Sequence, residues 1–200
     1  MSNRLNLLPD PAFQALRAVL SERLEQLGGE IHAGQFGHLL DPLLRRIVEQ
    51  GFAEAGAHEG TIWLLDATEK FLEPTFNTGP RATQIVGQFK QPLGSGLISM
   101  VFATEQPFLE NDIIRNAQQC KLLDAQLGVQ THALIAVPFH FLHACRGVVS
   151  CVQLKSPDPQ TVDPPGFQPP HLAAVQRATA MLSQLIEYRL LSQVVGWTCE

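Results

Sequence analysis

The sequence predicts an α+β fold, a single domain with helices at both ends of the chain. Three observations carry that prediction. Apolar residues recur at spacings of three and four in the first and last parts of the chain, whereas the middle changes to extended, β-branched-rich runs. Two pairs of those runs are joined by links short enough for hairpins, hence for antiparallel pairing.

The elements follow in order. After Pro9, residues Asp10 to Leu27 place Phe13, Leu16, Leu20, Leu24 and Leu27 on one narrow stripe, and Gly28 and Gly29 are expected to stop this helix. A second helix is predicted from Gly37 to Ala55, with a broader apolar face of Leu40, Leu43, Leu44, Ile47, Val48 and Phe52. Thr61 to Asp66 is apolar on both faces, which suits a strand inside a sheet. Phe71 to Thr78 completes a hairpin with it, and Pro74 argues for an edge position. Ile85 to Leu93 reads as a third strand, ended by Gly94-Ser95-Gly96, and Leu97 to Ala103 as a short helix.

Phe108 to Glu110 reads as a brief strand, Asp112 as the cap of a turn starting at Ile113, and Asn116 to Leu127 as a helix ended by Gly128. Two long strands, His132 to Phe141 and Cys145 to Leu154, are joined by a short link. The loop 155–170 holds six prolines and is expected to be exposed. The last helix, Pro170 to Val195, carries Leu172, Val175, Leu182, Ile186, Leu190 and Val194, widened by Leu185, Leu191 and Val195. That stripe is wider than one sheet face requires, so part of it is expected to meet another helix or a second subunit. The organisation is therefore a helix and linker over 1–36, the domain over 37–195, and a tail over 196–200.

Composition excludes several classes. With 45% hydrophobic and 16% charged residues, 200 residues build one domain with a real core. Fourteen Lys and Arg against 19 Asp and Glu give a net charge of -5, with no basic stripe to neutralise phosphates, so neither nucleic acid nor an anionic membrane is expected as a partner. No signal peptide and no run near the roughly 20 apolar residues of a membrane span is read. Four cysteines, Cys120, Cys145, Cys151 and Cys199, lack CxxC pairs and suggest reduced thiols in a cytoplasm.

Several strings resemble the GAF domain family. Thr61-Ile62-Trp63-Leu64-Leu65-Asp66 is similar to its first strand, and Pro92-Leu93-Gly94-Ser95-Gly96-Leu97-Ile98 to the turn before its short helix, with Pro107 and Asp112 following in order. Leu127-Gly128-Val129, then Ala133 to Phe139, then Arg146-Gly147-Val148-Val149, Phe167 and the final helix continue the pattern. The resemblance covers roughly residues 38–190. It implies a central antiparallel sheet of five or six strands, helices on one face packing as a dimer bundle, and on the other face a pocket roofed by variable helices and loops. It does not fix the chemistry.

Members with known chemistry differ here at telling positions. The Asn-Lys-x-Phe-Asp-Glu signature of cyclic-nucleotide binders is replaced by Leu154-Lys155-Ser156-Pro157-Asp158, with His171 where an Asp would stand. Cys120 lies where phytochrome-like relatives attach a bilin, but Lys121 replaces their histidine. Free methionine sulfoxide reductases place a thiol where this chain has Gln130, Thr131 and His132. Cys145 and Cys151 lie roughly 20 Å apart along an extended strand, too far for a disulfide. His140, His143 and Cys145 are metal-ligand types on a hairpin, read as exposed tip residues. Gly94-Ser95-Gly96 lacks the Lys of a phosphate loop and reads as a tight turn.

A pocket under the roof is expected to be largely apolar, drawn from Phe76, Phe89, Phe102, Leu109, Asp112, Cys120, Leu127, His132 and Phe139. No cofactor is read, and no ligand is identified. The leading reading is a non-catalytic sensor that binds a small molecule and signals through a homodimer's terminal helices. The alternatives are a dimerisation or docking module with a vestigial pocket, and a thiol redox enzyme. With no helix-turn-helix, kinase or cyclase motif in view, the signal is expected to leave through a partner protein or through chain beyond Glu200.

Overall fold

The computed structural model describes residues 14–158 and 160–197. Phe13 of the first helical stripe and Cys199 lie outside the described residues. Helix α1 spans Gln14–Glu30, α2 Ala33–Phe36 and α3 Pro42–Glu54; strands β1 Glu59–Leu65 and β2 Phe71–Asn77 follow. Then come α4 Ala82–Ile85, β3 Gln91–Pro92, α5 Leu97–Thr104, β4 Phe108–Glu110, a 3-10 turn at Ile113–Arg115 and α6 Leu122–Leu127. The long hairpin β5 Thr131–Phe141 and β6 Ala144–Leu154 leads to α7 Pro169–Val195.

The strands form one antiparallel sheet in the order β3-β2-β1-β6-β5-β4. β1 and β6 lie at its centre, which is why their inner residues are apolar on both sides. Pro74 is tolerated in β2 because β3 pairs only with Phe71 and Leu72, so the strand is an edge along the rest of its length. A register shift opposite Ile62 and Trp63 places Pro74 against Trp63.

One face of the sheet carries α2, α3 and α7 over Ile62, Leu64, Ile135, Val137, Phe139, Val149 and Cys151. Phe36, Phe139 and Phe141 form an aromatic cluster there, with ring centroids 5.3–6.2 Å apart. Gly51 of α3 lies against Ala178 of α7, and a Cβ at 51 would overlap that methyl group, so glycine sets how closely the two helices approach. The side-chain carboxylate of Asp41 caps α3 by accepting from the Leu44 amide at 2.8 Å, Pro42 occupies the first helical position, and Arg189 of α7 pairs with the same carboxylate.

The turn between β5 and β6 is a two-residue link in which Leu142 and His143 both have left-handed backbone, φ 50° and 62°. This conformation is costly for a bulky residue. Leu142 is nevertheless buried, and its amide donates to the Glu187 carboxylate of α7 at 2.8 Å. The helix thus holds the turn in place.

Four local expectations are corrected. Ile85 to Leu93 is not a strand: α4 ends at Ile85, Phe89 N donates to Ile85 O, and only Gln91–Pro92 pairs with the sheet. Asn116 to Leu127 is helical only from Leu122, although Gly128 does close it with left-handed backbone at φ 62°. The helix predicted from Gly37 to Ala55 is interrupted, since Asp41-Pro42 starts α3 afresh. Helix α1 runs through Gly28 and Gly29 to Glu30, and its Leu16 and Val19 remain exposed.

Candidate functional site

Alternation along the strands turns a second set of residues to the opposite face. From β1 these are Glu59, Thr61 and Trp63; β6 adds Ser150, Val152 and Leu154, β2 Asn77, β3 Gln91 and β5 Leu134. The roof is built by Ile85, Leu97, Ile98, Ile113, Cys120, Leu123 and Leu127, from α4, α5, the 3-10 turn, α6 and the segment leading into it. Between floor and roof lies a cavity of about 100 Å³. An engineered apolar cavity of about 150 Å³ takes up benzene, so this space matches a ligand of a few heavy atoms.

The floor is more polar than the sequence suggests. The Trp63 indole donates to Ser150 Oγ at 2.8 Å, and the Asn77 amide donates to Thr61 Oγ1 at 2.9 Å. Gln91 donates to Ser95 O at 2.7 Å. Asp124 accepts from the Thr131 amide, the Thr131 hydroxyl and Gln119. Glu59 is 9% exposed, and its carboxylate fills the space beside Gly79 that any larger residue would take. Burial pushes the Glu59 carboxyl above the usual range, opposed by the Arg81 charge, the Asn77 hydrogen bond and His58. No Lys, Arg or His side chain lines the cavity itself.

The structure brings only two of the proposed pocket residues to the cavity wall, Cys120 and Leu127. Phe89 lies behind the wall, edge-to-face with Trp63 at 6.1 Å, and Phe102 packs in the same apolar cluster. Phe76, Leu109 and Phe139 belong to the opposite face, against the helices, because their strand positions have the other parity. Arg45 lies over the Phe76 ring, 5.9 Å from its centroid. Asp112 is at the surface, paired with Arg115 at 3.2 Å, and its side chain does not cap the turn. His132 sits where the β5–β6 register shifts, between Thr131 and Ala133, and does not line the cavity. The sequence reading missed Glu59, Thr61, Asn77, Gln91 and Ser150. Their signal is a polar residue within an otherwise apolar strand, Glu59 and Thr61 two apart in β1 and Ser150 alone among the inner residues of β6.

The thiols are dispersed. Cys151 is buried in the helix-side core, where desolvation pushes it up to about 12, while Cys120 stands across the sheet in the cavity wall. Cys145 is pushed up to about 11 by burial and bonds to Gly147 O at 3.5 Å. His140 Nε2 lies 2.9 Å from Glu105 Oε2. Among the described residues no three His, Cys, Asp or Glu side chains are grouped as a metal site. Nor is any described helix long and apolar enough to cross a membrane.

The family description of the GAF domain matches residues 39–186, spanning both central strands, the roof and most of α7. The chain belongs to the GAF domain family. Its fold is similar to the GAF domain of a phosphoenolpyruvate-protein phosphotransferase from Coxiella burnetii, at 16% identity and TM-score 0.59, covering 94% of this chain and 100% of that one. A second likeness is the GAF domain of the Acinetobacter phosphoenolpyruvate-protein phosphotransferase, at 16% identity and TM-score 0.55, covering 90% and 97%. A third is the GAF-B domain of DevS from Mycobacterium smegmatis, at 16% identity and TM-score 0.52, covering 79% and 100%. No curated protein matches the sequence. At these identities the likeness extends to the GAF fold, and the side chains of this cavity have to be read on their own.

Proposed function

We propose that this GAF domain is a non-catalytic sensory module: a small molecule occupies the cavity beneath the roof, and its binding shifts the packing of terminal helices in a homodimer. The observation that carries the reading is the space between a polar sheet floor and short roof segments, lined by Glu59, Asn77 and Trp63. Short elements that bury few apolar residues are the ones that reorganise at low cost. The GAF domains with a similar fold, from DevS and two phosphotransferases, lend the fold rather than a ligand.

The dimer half of the reading rests on α7. Met181, Tyr188, Leu191 and Val195 are 39–50% exposed, and the spacings of seven, three and four place them along one stripe. Exposed apolar stripes of this kind are commonly covered in an assembly. Light scattering of the purified chain should give twice the monomer mass, and Leu191→Glu should return the monomer.

The ligand half is tested by thermal-shift titration with a broad library of small metabolites. Saturable stabilisation by one chemical series, lost in Val152→Phe, supports a working pocket. Indifference across the library, with wild type and Val152→Phe equally stable, favours a dimerisation module with a vestigial pocket. The small volume of the cavity is the observation that keeps this second reading in view.

A further inference from the structure

The hydrogen-bonding balance of the cavity points to one kind of occupant. Most polar hydrogens along its wall are already used within the protein: the Trp63 indole on Ser150, the Asn77 amide on Thr61, the Gln91 amide on Ser95, and the Thr131 hydroxyl on Asp124. Acceptors are left over. Chief among them is the Glu59 carboxylate, met by Asn77 and by the Arg81 charge, which lines both the cavity and an outer groove with His58, Pro80 and Arg81. The wall contains two carboxylates, Glu59 and Asp124, and no cationic side chain. Asp124 is saturated by Thr131 and Gln119, so Glu59 is the charge available to a ligand. Trp63 and the roof aliphatics Ile98 and Leu127 supply an apolar enclosure beyond it.

We propose that the cavity selects a small organic cation, a primary ammonium on a compact apolar body, with the charged head on Glu59 and the body between Trp63 and the roof. This rests on the reading of the cavity as a ligand site. An ammonium brings three donors and no acceptor, complementing a wall whose Trp63, Asn77 and Gln91 donors are engaged within the protein and whose one available charge is a carboxylate. A carboxylate or phosphate ligand would face Glu59 with nothing in the wall to neutralise it. Burial raises the Glu59 carboxyl, and the Arg81 charge on the outer side opposes that shift, as a bound ammonium would from the inner side.

The test is calorimetric titration of the full chain, near neutral pH, with propylamine, 1-propanol and propionate, three-carbon molecules small enough for the cavity that differ in charge. Propylamine should bind about tenfold or more tightly than the alcohol, with propionate weakest, as a charge-assisted hydrogen bond requires. Glu59→Gln should remove most of that preference while leaving the alcohol unchanged; Glu59→Asp should retain part of it, and Val152→Phe should abolish binding of all three. If propanol or propionate binds as tightly as the amine and Val152→Phe still blocks it, the cation proposal is overturned while the ligand cavity stands. If none of the three binds, the cation proposal is likewise overturned, and the library titration then decides separately whether the cavity is a ligand site. A propylamine preference that survives Glu59→Gln would also overturn it.

Discussion

The two faces of the central sheet come from the same strands and have opposite characters. On the helix side, Ile62, Ile135, Phe139, Val149 and Cys151 are almost without exposure and close-packed under α2, α3 and α7. On the other side, one residue along, lie Glu59, Thr61, Trp63 and Ser150, buried but hydrogen-bonded, under short elements that leave a space. A close-packed apolar face contributes stability through area removed from water and through dispersion contacts. A polar face under a roof contributes less to stability and more to recognition. Burying polar groups costs free energy unless they are paired, so such a face persists only when each group has a partner or a ligand.

Substitutions on the helix side should have the larger effect on stability. Phe139→Ala removes a ring from a three-ring cluster and should cost about 3–5 kcal/mol in urea denaturation. An equal cost from Trp63→Phe, on the cavity side, would erase the distinction between the faces. Gly51→Val forces α3 away from Ala178 and should cost about 1–3 kcal/mol, with a lower midpoint and an unchanged denaturant slope.

Asp41→Ala removes both the cap of α3 and its pairing with Arg189, at about 1–2 kcal/mol. The Leu44 amide, opposed by partial burial and helped by Arg189, holds the Asp41 carboxyl below its usual value. Its contribution is therefore present above the ordinary carboxylate pKa and fades as pH falls below about 4. Acid titration of the wild type and of Asp41→Ala should converge at low pH, and a constant gap between them would contradict this linkage.

The smallest effect concerns reactivity rather than stability. Cys145 and Cys151, pushed up to about 11 and 12, are thiols rather than thiolates at about pH 8 and should resist iodoacetamide in the folded protein. Peptide mass spectrometry should find them unlabelled until the chain is unfolded, with reactivity rising only as pH approaches those values. Rapid labelling of Cys151 would mean that the helix side opens far more readily than its packing implies.

Much of the fold was legible in the sequence. β1, β5 and β6 are continuous apolar, β-branched-rich runs and α7 repeats apolar residues at spacings of three and four, so their type follows from local sequence, and the ordered GAF-like strings from Thr61 to Phe167 pointed to their arrangement. The break before α3 was written in Asp41-Pro42, a cap followed by proline at the first helical position, and was overridden by the continuous apolar face around it. The error over Ile85 to Leu93 has a different cause. Ile85 and Phe89 stand four apart, a spacing that a turn of helix satisfies, and Gly87 with φ 69° ends any extended reading.

The candidate site was harder to read, because a pocket is made by elements distant in sequence. Choosing aromatic residues for it favoured Phe76 and Phe139, whose parity sends them to the helices. Glu59 was passed over because the strand was started two residues late, at Thr61. Sequence by itself determined the type of each long element, since that depends on neighbours along the chain, and the ordered strings that resemble the GAF family pointed to the arrangement. Which face of the sheet is packed and which is roofed was decided only by tertiary structure. Side-chain alternation offers two equivalent faces, and the docking of α3 and α7 selects one of them, leaving Glu59, Asn77 and Trp63 to the cavity on the other.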